Sequence, residues 1–174
     1  MMKYFSVILV AFILISCGST QVNYDYDEQI SFSKYKTYNY LPDMQTGLSQ
    51  LDANRLISAI DLVMDEKGFT KSENPDLLIN IMSDQYRESP QNSVGVGVGS
   101  GGYGGGVSIG AGIPLGGSKD HQTITIDLVD SSEDILVWQA VSDSNIALNT
   151  NPQDRVSYYT KVSQKIFKNF PPEK

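Results

Sequence analysis

Gln122-Thr123-Ile124-Thr125-Ile126-Asp127-Leu128-Val129-Asp130 alternates apolar and polar residues, with Ile124, Ile126 and Leu128 on one face and Thr123, Thr125 and Asp127 on the other. Period two of this kind predicts a strand with one buried face. Ser131-Ser132-Glu133-Asp134 is a turn, and Ile135 to Asp143 returns with Leu136, Trp138 and Ala140 on one face. The two runs therefore predict a β-hairpin.

Working outward, each flank adds one helix. Ser49 to Lys67 carries Leu56, Ile57, Ile60, Val63 and Met64 as a helical stripe. Ser49 with Asp52 resembles a capping box, and Gly68 suits a left-handed ending with Phe69 folded back on Met64. Pro75 opens a strand with Leu77, Ile79 and Ile81 on one face and Leu78 and Met82 on the other, fading by Ser83 to Glu88. Phe32 to Leu41 is a further strand that stops at Pro42, with Tyr38 and Tyr40 on one face and Tyr35, Thr37 and Asn39 on the other. Downstream, Asn151 caps a helix whose first residue is Pro152, with Asp154 at its third position. Its stripe is Val156, Tyr159, Ser163, Ile166, Phe167 and Phe170, and Pro171-Pro172 end it. The fold class is α+β: a two-layer sandwich in which two helices cover a mixed or antiparallel sheet of four or five strands.

Residues 92–118 are a separate composition: twelve of the 15 glycines lie between Gly95 and Gly117. Val94, Val96 and Val98 alternate with Gly, as do Val107, Ile109, Ala111 and Ile113. The insertion reads either as a Gly-rich loop or as a long β-hairpin with an apolar edge row able to pair with another subunit. Gly106-Val107-Ser108-Ile109-Gly110 fits a nucleophile elbow by spelling only, because no helix signal follows and the single His121 is too near to serve it. Gly99-Ser100-Gly101-Gly102-Tyr103-Gly104 likewise lacks the helix a dinucleotide fingerprint must open.

The amino-terminal stretch is an address. Lys3 precedes Tyr4 to Ile15, an apolar run of twelve residues broken only by Ser6. As a helix it would span about 18 Å, too short for a hydrocarbon core of about 30 Å and right for a signal sequence. Leu14-Ile15-Ser16-Cys17 resembles the bacterial lipoprotein box. The resemblance implies lipid transfer to the Cys17 sulfur, cleavage before Cys17, and acyl chains of the palmitate class on the new terminus. By analogy with Gram-negative sorting, Ser19 in place of Asp favours the outer membrane, and the lack of an acidic cluster directly after Cys17 favours its periplasmic side. The domain reading is residues 1–16 as signal peptide, 17–30 as lipidated Cys and tether, part of which orders as a first strand, and 31–172 as a single α+β domain.

Composition narrows the function. The chain has 174 residues, 13 Lys+Arg against 20 Asp+Glu and a net charge of −7. A nucleic-acid binder carries a basic stripe for phosphates, and none is visible. With one Cys and one His, an intramolecular disulfide is impossible, and zinc sites and nucleophile-plus-His machinery are close to excluded. His121 beside Asp120 reads as a solvated edge residue. Asp127, Asp130, Glu133 and Asp134 cluster in sequence, but alternation and the hairpin turn account for them without a calcium ion. Tyr24, Tyr26, Tyr35, Tyr38, Tyr40, Tyr86, Tyr103, Tyr158 and Tyr159 could stack on a glycan, although such rows are ordinarily core or rim. No catalytic residue, cofactor or metal ligand is assigned.

Several stretches together resemble one family. They are Phe32-Ser33-Lys34-Tyr35-Lys36-Thr37-Tyr38, Lys67-Gly68-Phe69 with Asn74-Pro75-Asp76-Leu77-Leu78, Ile126 to Asp130 with Leu136-Val137-Trp138, and Ile166-Phe167-Lys168-Asn169-Phe170-Pro171-Pro172. The family is the bacterial lipoproteins with the domain of unknown function 4136. It implies an exported, lipid-anchored α+β domain and no known activity. The expected function is non-enzymatic binding of an envelope protein or glycan by a domain tethered to the membrane through its acyl anchor. The alternative is a subunit of a homo-oligomeric envelope assembly that uses the Gly-rich hairpin as its inter-subunit edge.

Overall fold

A computed structural model describes residues 20–88, 93–95, 112–114, 119–146 and 150–172. The lipobox Leu14, Ile15, Ser16 and Cys17, and most of the Gly-rich insertion, lie outside the described residues. Eight strands and two α-helices follow in order: β1 (Gln21–Tyr26), β2 (Thr37–Tyr40), α1 (Gln50–Glu66), β3 (Thr70–Lys71), β4 (Leu77–Glu88), β5 (Ser93–Gly95), β6 (Gly112–Pro114), β7 (Lys119–Asp130), β8 (Ile135–Ile146) and α2 (Pro152–Ile166). Short 3-10 turns occupy Phe32–Lys34 and Phe167–Asn169.

The main sheet has six strands in the order β1-β8-β7-β4-β2-β3, two short edge strands more than the sequence pattern predicts at its lower bound. β1, β8, β7 and β4 are antiparallel, whereas β2 runs parallel to both β4 and β3. A parallel pair needs a crossover, and α1 supplies it between β2 and β4. The α+β sandwich is therefore mixed, with both helices on one face.

Local chemistry sets the helix ends. The Ser49 side chain accepts from the Asp52 N–H, and the Asn151 side chain from the Asp154 N–H. At the end of α1, Gly68 takes φ +81. The Gly68 and Phe69 N–H groups donate to the Asp65 and Met64 carbonyls, both at 2.9 Å, which completes a Schellman ending.

Three readings change on inspection of the sheet. The Phe32–Leu41 strand shortens to β2, because Phe32–Lys34 winds into a 3-10 turn that buries Phe32 and turns Tyr35 inward. β4 runs on to Glu88, since each residue from Ser83 finds a partner on β7. A bulge between Leu128 and Val129 makes Val137 the extra residue of β8. One inserted residue reverses the alternation, so Leu136 is 51% exposed while Trp138 and Ala140 stay buried.

Between the layers, Leu56, Ile60 and Met64 of α1 and Tyr159, Val162 and Ile166 of α2 meet Leu77, Ile79, Ile81, Ile124, Ile126 and Leu128 of the sheet, all almost fully buried. Val156, placed in the apolar stripe from sequence, is exposed at the first turn of α2, and Val162 takes the buried position. Trp138 stacks on Phe167 at 5.5 Å and meets Phe170 edge-on at 5.2 Å.

The sheet has two distinct ends. Gln21 opposite Asp143 and Lys119 opposite Glu88 mark one of them. From that end β5 and β6 pair antiparallel, Val94 opposite Ile113, in a separate two-stranded ladder. Four residues separate β4 from β5 and four separate β6 from β7, so both ladders share one register. Tyr26, Leu77 and Asp130 mark the other end.

Candidate functional site

That second end carries a cleft of about 530 Å³. Three element ends build it: the chain from Tyr26 through the 3-10 turn to Lys36, the Lys67-Gly68-Phe69 ending of α1, and Pro171-Pro172 after α2. Its floor is aromatic and fixed. Phe32 meets Tyr26 at 6.1 Å, Tyr35 at 5.9 Å and Phe170 at 5.9 Å, and Phe69 packs on Phe170 at 5.4 Å. Edge-to-face contacts of this kind lock rings in place, so the apolar surface is preformed.

Charge sits at the rim. Lys36 and Lys67 line the cleft, and Glu28 is the one carboxylate among its lining residues. Lys36 is exposed and Lys67 half-buried. Burial lowers the Lys67 ammonium from its ordinary pKa, against the opposing pull of Glu66. The arrangement can hold an apolar group against rings beside cationic groups.

Beside the cleft, sharing Tyr35 with it, a hydrogen-bond knot centres on the buried carboxylate of Asp130. One oxygen of Asp130 accepts from Lys34 Nζ at 2.9 Å and from the Tyr35 hydroxyl at 2.8 Å. The other accepts from the Ser132 N–H at 2.9 Å, the Ser132 hydroxyl at 2.6 Å and the Glu133 N–H at 3.2 Å. Burial pushes the Asp130 carboxyl up, but these donors outweigh it and hold it well below the usual carboxylate range. The Tyr35 hydroxyl is pushed up to about 12, by burial first and Asp130 second. Asp76 ties the strand after the knot by accepting from the Lys36 and Thr37 N–H groups, which lower its pKa.

The residues singled out from sequence are dispersed. Asp127 accepts from Asn80 and Gln139 on the uncovered sheet face, whereas Asp130 joins the knot. His121 is not a solvated edge residue. It is on the interior strand β7, only 16% exposed, stacked on Tyr86 at 5.0 Å and 3.1 Å from Asp143. The tyrosines make no single row: Tyr38 and Tyr40 turn their hydroxyls to Asp61, Tyr158 to Ser144, and Tyr86 to Asp143 on the other face. Burial with Asp61 raises Tyr38 and Tyr40, and burial pushes Tyr158 up to about 12. Tyr103, Ser108 and the two glycine motifs lie outside the described residues. Sequence reasoning missed the cleft and its lysines. The available signal was that Phe32–Tyr38, Lys67–Phe69 and Pro171–Pro172, which carry the family resemblance, are the stretches that line it.

Among solved structures, a PDZ domain protein from Parabacteroides distasonis is similar with a TM-score of 0.55 at 13% identity, over 95% of this chain and 40% of that one. The chain thus spans well under half of that protein's length. The PelC dodecamer from Paraburkholderia phytofirmans is similar with a TM-score of 0.53 at 13% identity, over 90% of this chain and 100% of that one. Both likenesses show the fold alone. No curated protein matches the chain. Residues 22–172 match the family described as Domain of unknown function (DUF4136), which takes in every described strand residue except Gln21, both helices and the cleft, and the chain belongs to that family.

Proposed function

We propose that this chain is a lipid-anchored domain of the outer membrane that works by binding, not by chemistry, with the cleft as its binding site. The carrying observation is the aromatic cleft with its cationic rim. The position of β1 supports the tether. Gln21 already pairs with Asp143, so an acylated Cys17 is four residues from the sheet and within about 14 Å of it. The cleft opens at the far end, about 17 Å along β1, facing away from the bilayer. Two or more acyl chains make such an anchor stable.

Two experiments test this. Cys17→Ala should move the protein out of the membrane fraction, and persistence there would refute the anchor. A photoreactive amino acid at Ser33, on the cleft, should trap a molecule in cells that the same group at Gln50, exposed at the start of α1, does not. No adduct at Ser33 would refute the cleft as binding site.

A second reading has its own support. The fold resembles a chain whose structure is a dodecamer, and β5–β6 continues the register of β4–β7. The chain would then be a subunit of a homo-oligomer with the Gly-rich hairpin at the contact. The native mass in mild detergent, with and without residues 92–118, separates the readings. An oligomer that collapses on deletion supports assembly, and a monomer in both cases refutes it.

A further inference from the structure

The aromatic floor would suit many apolar groups; the rim narrows the choice. Lys67 is half-buried at the end of α1, and neither it nor Lys36 has a carboxylate within ion-pair distance among the described residues. Lys34, Arg55, Lys71 and Arg155 each hold a carboxylate within 4.0 Å; among the described lysines that do not, Lys36, Lys161, Lys165 and Lys168 are exposed, and Lys67 is the half-buried one. Removing an ammonium from water without a partner costs free energy that an incoming anion would recover. Glu28 opposes this, but as one carboxylate against two ammonium groups it leaves the cleft net positive. The apolar part has room too: about 530 Å³ falls within the roughly 300–1,000 Å³ of small-molecule sites.

We infer that the cleft takes an anionic amphiphile, a single acyl chain ending in a carboxylate or phosphate, with the chain over Phe32 and Phe69 and the head between Lys36 and Lys67. The inference rests on the cleft being the binding site and deepens that reading. A headgroup of the anchoring leaflet is not the proposed occupant, because Tyr26 on the cleft and Gln21, four residues after Cys17 in sequence, mark opposite ends of β1. The ligand comes from the aqueous side or is handed over by another envelope component. A free fatty acid and a lysophospholipid share this chemistry.

The test uses the native lipidated protein in phospholipid nanodiscs with photoactivatable palmitate, photoactivatable lysophosphatidate and the neutral palmityl alcohol analogue. Labelled sites are mapped by mass spectrometry. The expected result is labelling within 26–36, 67–69 or 171–172 by an anionic probe, at least tenfold above the alcohol and displaced by unlabelled ligand. Preference for palmitate would identify a fatty acid, and preference for lysophosphatidate a phosphate head; both support the inference. Lys36→Gln with Lys67→Gln should cut anionic labelling tenfold and leave the alcohol unchanged, while Trp138 fluorescence reports an intact fold. Equal labelling by all three probes, or an unaffected double variant, overturns the anionic head but leaves the cleft as a binding site. If Ser33 traps a molecule in cells but no acyl probe labels the cleft, the amphiphile is overturned while the binding reading stands.

Discussion

Replacing Asp130 with Ala removes the acceptor at which the first turn, the hairpin turn and the cleft floor meet. Tyr35 is 3% exposed, and its hydroxyl loses the carboxylate that accepts from it at 2.8 Å. A buried polar group left unsatisfied costs about 1–3 kcal/mol. The Ser132 and Glu133 N–H groups lie in an exposed turn and can turn to solvent, which adds about 0.5–1 kcal/mol. The expected loss is about 3 kcal/mol, a fall in Tm of roughly 6–12 °C for a chain of this size. Urea unfolding followed by fluorescence measures it, because Trp138 is the only tryptophan and is 1% exposed. The pH dependence has a definite sign. Asp130 titrates lower in the folded chain than in the unfolded one, so its stabilisation is complete above the unfolded value of about 3.9. It is lost as pH falls from there through the folded pKa. The gap between wild type and Asp130→Ala should be constant from pH 7 to about 5 and narrow below about 4. A gap under 1 kcal/mol at pH 7, or one that does not narrow in acid, would refute the reasoning.

Two further substitutions separate backbone strain from crowding, and a third tests a lone hydroxyl. Gly68→Ala meets no atom within 4 Å at φ +81, so its cost is conformational alone, about 1–2 kcal/mol by denaturant midpoint. Gly47→Ala combines φ +71 with a collision against the Ser83 carbonyl oxygen and should cost more than Gly68→Ala; an equal or smaller loss would count against the packing of that turn on β4. Ser163 is fully buried in α2 and its hydroxyl has no hydrogen-bond partner, so Ser163→Ala should be neutral or raise Tm by a few degrees, and a clear loss would mean the hydroxyl is satisfied.

What was legible in the sequence was local. Ser49, Asn151 and Gly68 act within one helical turn, so the capping residues announced themselves. The hairpin was equally plain because Ile124, Ile126 and Leu128 share one buried face. The misses all depend on a distant partner. The polar stretch after Met82 is strand only because β7 pairs with it. The bulge at Val137 exists only relative to Leu128 and Val129, and it moves Leu136 to the other face without any mark in the alternation of β8. The cleft is further from view still. It joins Tyr26 and Phe32, Lys67 and Phe69, and Pro171 and Pro172, stretches each explained locally as a strand, a helix stop and a chain ending. Desolvation of Lys67 cannot be written in its own neighbourhood, since it arises from what packs around the end of α1.

The order of strands gives this arrangement a direction that neither the anchor nor the cleft has alone. β1 is an edge strand paired with β8 from Gln21 to Tyr26. Its first residue, Gln21, lies four residues after Cys17, the proposed acylation site, and its last, Tyr26, lines the cleft. β1 is held to β8 by six register pairs, so under the proposed Cys17 anchor a short tether at its first residue would bring that end of the sheet toward the bilayer. The β5–β6 ladder follows the end of the sheet where β1 begins, the end that the proposed anchor would hold near the bilayer. Assembly through the ladder and binding through the cleft therefore use opposite ends of one sheet, and neither blocks the other. In a ring of such chains the ladders would meet near the membrane while every cleft remained open to the aqueous side. Loss of the ladder should then change the native mass and leave cleft labelling intact, whereas loss of Lys36 and Lys67 should do the reverse.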